Sequence, residues 1–209
     1  MIYSAKNYEH LLGTPGFSDE LLKSHLALYK GYVKQTNALI ETLKRYREER
    51  QENLPEFMEL RRRFGWEFNG MRLHEYYFEN IKKDSGEGFE STELKEKIVE
   101  DFGSMEAWKK DFKAAGAMRG IGWVILAYDP MAHHLLNLWI NEHDTGHGAG
   151  LSLLLVMDVF EHAYMQDYGI NKKDYIQAFF EVIHWEEVSK RFQNISAAHP
   201  SLLRGFHVA

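Results

Sequence analysis

With 209 residues, 44% hydrophobic and 27% charged, the chain is long enough to bury a substantial core and too apolar to remain disordered. It has no cysteine, which excludes disulfides, thiolate catalysis, zinc fingers and iron–sulfur clusters, so any metal must be held by His, Asp or Glu. A formal net charge of −6 argues against a nucleic-acid partner; the one dense basic run, Arg61-Arg62-Arg63, reads better as a solvated helix face than as an anion-steering patch.

Residues 1–17 read as irregular, with Gly13-Thr14-Pro15-Gly16 breaking any element. Met1 to Asn7 lacks a basic stretch followed by an apolar one, and no segment approaches the length of a membrane span, so a cytoplasmic protein without membrane contact is expected. Ser18 before Asp19 and Glu20 is a helix start, and Leu21, Leu22, Leu28, Tyr32, Leu39 and Leu43 recur at helical spacing to about Arg50. This helix carries His25, with Tyr29 and Tyr32 on the same stripe. After a break at Leu54-Pro55, a second helix is predicted from about Pro55 to Ile81, with Gly65 and Gly70 as candidate interruptions and His74 among Tyr76, Tyr77 and Phe78. A short turn between two long helices predicts an antiparallel hairpin, which brings His25 and His74 face to face if each lies on its inner stripe.

The loop Asp84 to Gly88 divides the chain into a helical hairpin domain, residues 1–88, an α+β domain, residues 89–193, and a C-terminal tail, residues 194–209. In the second part Glu93 to Phe102 and Met105 to Gly116 read as helices. Trp123 to Tyr128, His133 to Ile140 and Leu153 to Met157 read as strands, and Asn171 to Phe192 as one closing helix. The predicted fold class is α+β: a long N-terminal antiparallel helical hairpin followed by an α+β domain with a small antiparallel sheet of about three strands.

The chemistry concentrates in Asp158-Val159-Phe160-Glu161-His162-Ala163-Tyr164, where an acid and an imidazole stand one helical turn apart. Taken alone, such a pair more often describes a capping acid and a packed imidazole. Joined to His25 and His74, it offers three neutral nitrogens and one anionic oxygen where the two parts of the chain meet. That donor set suits a redox-capable first-row ion, iron or manganese, with a position left for substrate.

The same residues carry a resemblance. Asp158 to Tyr164 with Asp167-Tyr168 is similar to the C-terminal metal signature of the iron/manganese superoxide dismutase family, with Phe160 where Trp is usual. Tyr32-Val33 with Asn37 and Leu39, and His74 with Tyr77, Phe78 and Asn80, resemble that family's first and second helix motifs; Gly120 to Trp123 and His184-Trp185 through Arg191 resemble two further segments. The likeness spans roughly residues 5–193. It implies one iron or manganese ion per chain held by His25, His74, Asp158 and His162, superoxide as the substrate, and Tyr32 at the substrate entrance. His143 would take the place of the group, usually Gln, that tunes the metal's potential. Glu161 would reach the last histidine ligand of the partner subunit in a homodimer.

Three departures stand out. His25 and Tyr32 are seven residues apart where the family has eight; Leu28 or Tyr29 occupies the turn where it has a histidine; and Met165 stands where it has a tyrosine. In the family the last two meet across the dimer interface and join a proton relay. These changes leave another redox metalloprotein, or a non-catalytic binding protein, as the alternative reading.

Overall fold

The computed structural model describes residues 2–84, 89 and 92–198. Helix α1 (Asp19–Glu48) starts at Ser18, whose hydroxyl accepts from the Leu21 amide at 3.0 Å, with Asp19 and Glu20 at the positive end of the helix dipole. Asp167 fixes that cap in turn, accepting from the Ser18 amide at 2.7 Å and hydroxyl at 2.6 Å. Helix α2 (Pro55–Glu79) opens with proline in its first turn, where the missing N–H costs nothing, and runs unbroken through Gly65 and Gly70. The two form the expected antiparallel hairpin, with Leu22, His25, Tyr29 and Val33 buried on α1 and Gly70, Met71, His74 and Phe78 on α2. No helix among the described residues is long and apolar enough to cross a membrane.

Helices α3 (Glu93–Phe102) and α4 (Met105–Ala117) are capped by Thr92 and Ser104. Strands β1 (Gly122–Asp129), β2 (His134–Asn141) and β3 (Ser152–Asp158) form an antiparallel sheet in the order β2-β1-β3. The central strand, β1, is buried from Gly122 to Tyr128, which explains its unbroken apolar run. A short helical turn at Glu161–Ala163 follows β3, then α5 (Met165–Tyr168), α6 (Lys172–Glu181) and α7 (Trp185–Ala198).

Two sequence expectations need correction. The closing helix from Asn171 to Phe192 is two helices, broken at Val182 to His184. There the backbone pairs with the chain leaving α2: the Lys82 amide donates to the Val182 carbonyl at 2.9 Å and the His184 amide to the Asn80 carbonyl at 2.7 Å. These distant partners outweigh the local helical pattern. The last helix also runs through Ala198, past the start expected for the tail at residue 194. Ser85 to Gly88, where the sequence divides the chain, and the end of the tail from 199 onward lie outside the described residues.

The register at the start of β1 sets the geometry that follows. Trp123 lies opposite both Asp158 of β3 and Ile140 of β2, while the Gly122 carbonyl accepts from the Val159 amide at 2.9 Å. Gly122 has φ +149°, and a Cβ there would lie 2.0 Å from the Ile140 carbonyl oxygen. Gly122→Ala is therefore expected to destabilise the protein by about 3 kcal/mol, read as a lowered denaturation midpoint; an unchanged midpoint would show that the strand junction is not under this constraint.

Candidate metal centre

His25 sits on the buried stripe of α1, His74 on that of α2, Asp158 at the end of β3, and His162 in the turn that follows. One ligand atom from each lies within 4.8 Å of all the others. Asp158 Oδ2 is the hub: it is 3.1 Å from His25 Nε2, 3.1 Å from His162 Nε2 and 3.7 Å from His74 Nε2. The other carboxylate oxygen accepts from the Phe160 amide at 2.8 Å, and the Asp158 carbonyl accepts from the Tyr175 hydroxyl at 2.5 Å. The acid is thereby held on both sides.

His74 donates from Nδ1 to the Gly70 carbonyl at 2.5 Å, which leaves the lone pair on Nε2. That nitrogen is buried with no hydrogen-bond partner, an arrangement that costs free energy unless something else uses the lone pair. Three imidazole nitrogens and one carboxylate oxygen fit a single iron or manganese ion. Their protonation suits it as well. Burial pushes the His25 and His74 imidazoles below their ordinary range, for His74 with help from His25, so both stay neutral at pH 7. Burial alone would push the Asp158 carboxyl up, but the imidazoles of His162 and then His25, hydrogen-bonded to it, hold it well below the usual range and keep it anionic.

Beside this cluster, Tyr32 and His143 meet with Tyr32 Oη 2.7 Å from His143 Nε2. The Trp123 indole N–H donates to His143 Nδ1 at 3.1 Å, so a neutral His143 carries its proton on Nε2 and donates it to the Tyr32 oxygen. The tyrosine's own proton is then free to point elsewhere. Phe160 stacks on the His143 ring at 4.6 Å and Trp66 meets it edge-on at 4.9 Å. The His147 Nε2, 2.9 Å from the His143 carbonyl, ties down the loop. Burial lowers the His143 pKa to about 4, and burial together with the Asp158 and Glu67 charges raises that of Tyr32 to about 12. Both groups are neutral over the physiological range.

All six candidate site residues thus come together. The seven-residue spacing from His25 still delivers Tyr32 to the same place, stacked on His74 at 5.2 Å, and Gly70 makes room for it, since a Cβ there would lie 2.6 Å from the Tyr32 ring. Leu28 and Met165 are surface residues, 37% and 42% exposed, whereas Tyr29 is fully buried. Trp66 and the orienting indole of Trp123 were missed as neighbours of His143. The spacing of four from Trp66 to Gly70 to His74 along α2 was the available signal for the first.

The buried imidazoles set a pH dependence. A histidine with a depressed folded pKa binds fewer protons folded than unfolded, so its contribution is complete above the ordinary value of 6.5 and is lost as pH falls. For His143 the loss runs from 6.5 down to about 4. The metal-free protein should therefore show a falling thermal midpoint between pH 7 and pH 5 by calorimetry; a flat midpoint there would mean that these rings are not held neutral.

Comparison with known proteins agrees with this geometry. Residues 90–191 match the C-terminal domain of iron/manganese superoxide dismutases. The chain is 36% identical to a manganese superoxide dismutase of Haloferax volcanii, over 89% of this chain and 92% of the relative. It is 36% identical to an iron superoxide dismutase of Aquifex pyrophilus, over 90% and 89%, and 38% identical to one from Cupriavidus metallidurans, over 85% and 89%. With that likeness along most of its length and three histidines gathered on one aspartate, the chain belongs to the iron/manganese superoxide dismutase family and is a superoxide dismutase.

Proposed function

We propose that His25, His74, Asp158 and His162 hold one iron or manganese ion per chain, and that Tyr32 and His143 form the entrance beside it. The observation that carries the reading is the convergence of four ligand atoms within 4.8 Å, among them a buried imidazole nitrogen with no other partner. Held by these four residues, an ion of either metal would supply the one-electron redox chemistry by which one superoxide is oxidised to dioxygen and the next, with two protons, is reduced to hydrogen peroxide. Equally similar relatives are named for manganese and for iron, so both metals remain within the proposal.

The protein's own groups supply geometry and protons. Asp158, ionised and held by Phe160 and Tyr175, sets the charge and position of the cluster; a single carboxylate leaves it net positive toward an anionic substrate. His143 stays neutral and fixes the Tyr32 oxygen by donating to it, which turns the phenol proton outward, where it can order solvent that brings protons in. His74→Ala or Asp158→Ala is expected to abolish tight binding of iron and manganese, measured by elemental analysis after dialysis. Stoichiometric metal retained in either variant would remove the proposed site.

The proposal includes a homodimer in which Glu161 reaches the last histidine ligand of the partner subunit. Glu161 is exposed and lines one surface cleft with Met118 and Ile170, apolar side chains that are 43% and 95% exposed. Leu28 and Met165 would replace a polar relay by an apolar contact across the same interface. Light scattering should report twice the 24.5 kDa chain mass, and Glu161→Ala should lower it toward one chain; a monomeric parent protein would overturn the arrangement. The activity is placed in the cytoplasm, and its recovery only from an exported or membrane fraction of the host would overturn that location.

A further inference from the structure

We propose that Tyr29 and Tyr8 form an oxidation-escape chain, carrying one-electron oxidising equivalents away from the metal centre when hydrogen peroxide, the product of dismutation, reacts there. This protective activity rests on the reading that the site holds a redox ion.

Tyr29 follows His25 by one turn of α1, is fully buried, and has its ring 6.5 Å from His74 and 6.0 Å from Phe78. Tyr8, from the segment before α1, meets Tyr29 edge-on at 5.8 Å and Phe78 at 5.2 Å, and Phe78 in turn lies 5.0 Å from His25. Two ligand imidazoles are therefore joined to Tyr8 by continuous aromatic contact. Tyr8 is 5% exposed, and beyond it, at 6.3 Å, is the solvent-exposed ring of His10.

The hydroxyl partners separate this pair from the other aromatics around the site. A phenol gives up an electron readily only if its proton can leave with it. The Tyr8 hydroxyl donates to Glu79 Oε1 at 3.1 Å, and the Tyr29 hydroxyl donates to Glu75 Oε1 at 3.0 Å. Lys6 at 2.7 Å and Arg191 at 2.8 Å hold Glu79 in place, and it is 30% exposed, so a proton it receives can pass to water. Tyr175, by contrast, donates to the Asp158 carbonyl and lies 3.3 Å from the Tyr77 hydroxyl, neither of which serves as a base. Tyr32 accepts its hydrogen bond from His143.

The reaction balances without a further oxidant. One hydrogen peroxide and two phenols give two waters and two phenoxyl radicals: the O–O bond and two phenol O–H bonds break, the peroxide gains two electrons, and each phenol loses one electron and one proton. The phenoxyls return to phenols by taking a hydrogen atom from a small reductant of the thiol or ascorbate class.

The test uses the iron-loaded, dismutase-active protein, mixed with hydrogen peroxide, frozen, and examined by electron paramagnetic resonance with and without ring-deuterated tyrosine. Peptide mapping of oxidation at His25, His74 and His162 is carried out in parallel. A tyrosyl radical is expected in the parent protein, and it should be lost in the Tyr8→Phe/Tyr29→Phe double variant. Oxidation of the ligand histidines in that variant should rise several-fold at equal peroxide, with dismutation unchanged before exposure. Glu79→Gln, which keeps both rings and removes one proton acceptor, should also lower the radical yield. A fully iron-loaded, active parent that gives no tyrosyl radical, or only a tryptophanyl one, would overturn the chain and leave the metal site standing, as would unchanged histidine oxidation in the double variant. A protein that takes up no iron would overturn the metal reading itself.

Discussion

Asp158 is a carboxylate with no solvent exposure that must remain ionised, and the rest of the structure is arranged around that demand. A buried anion is tolerated only when charge and hydrogen bonds replace the water it has lost. Here the Phe160 amide and two imidazoles do so directly, while a third imidazole stands 3.7 Å away with its lone pair uncommitted. The hairpin supplies two of those rings and the end of the sheet supplies the acid. Hairpin and sheet therefore meet because the cluster requires both.

The start of β1 is where this convergence is built. Gly122 lets β2 and β3 flank the strand closely, so that Trp123 has Asp158 on one side and Ile140, three residues before His143, on the other. The same indole then fixes the tautomer of His143 and, through it, the direction of the Tyr32 hydroxyl. One backbone junction thus sets both the placement of Asp158 beside the imidazoles and the orientation of the Tyr32 hydroxyl. The packing around it is aromatic, with Phe160 and Trp66 against His143 and Phe78 against His25, which leaves little freedom for either ring to rotate.

Much of this was legible from the chain because its signals are local. Ser18 capping acidic residues, the helical spacing of apolar positions in α1 and α2, and the run from Trp123 to Tyr128 each specify an element without outside help. The three histidines and Asp158 could be singled out only jointly: each alone reads as a packed or capping side chain, and the hairpin together with the four-residue spacing from Asp158 to His162 offered to bring them to one place. The break at Val182 to His184 was not legible, since it is decided by backbone pairing with Asn80 and Lys82 from the other part of the chain. Spacing alone placed Tyr29 on the stripe of His25, and Leu28, about 100° away in direction, lies on the surface as that placement requires. The role of Trp123 depends on a hydrogen bond between strand and loop that no periodicity encodes.

The central claim is that the four converging side chains form a redox metal centre that dismutates superoxide. The most direct test is the dismutation rate of the purified protein, normalised to iron and manganese measured on the same sample. A fast rate proportional to the content of one of these metals, and abolished with it by chelation, is the result this account requires. A fully metallated protein with a negligible rate would contradict it, and would show that the altered surroundings of the ligands have moved the site to another chemistry.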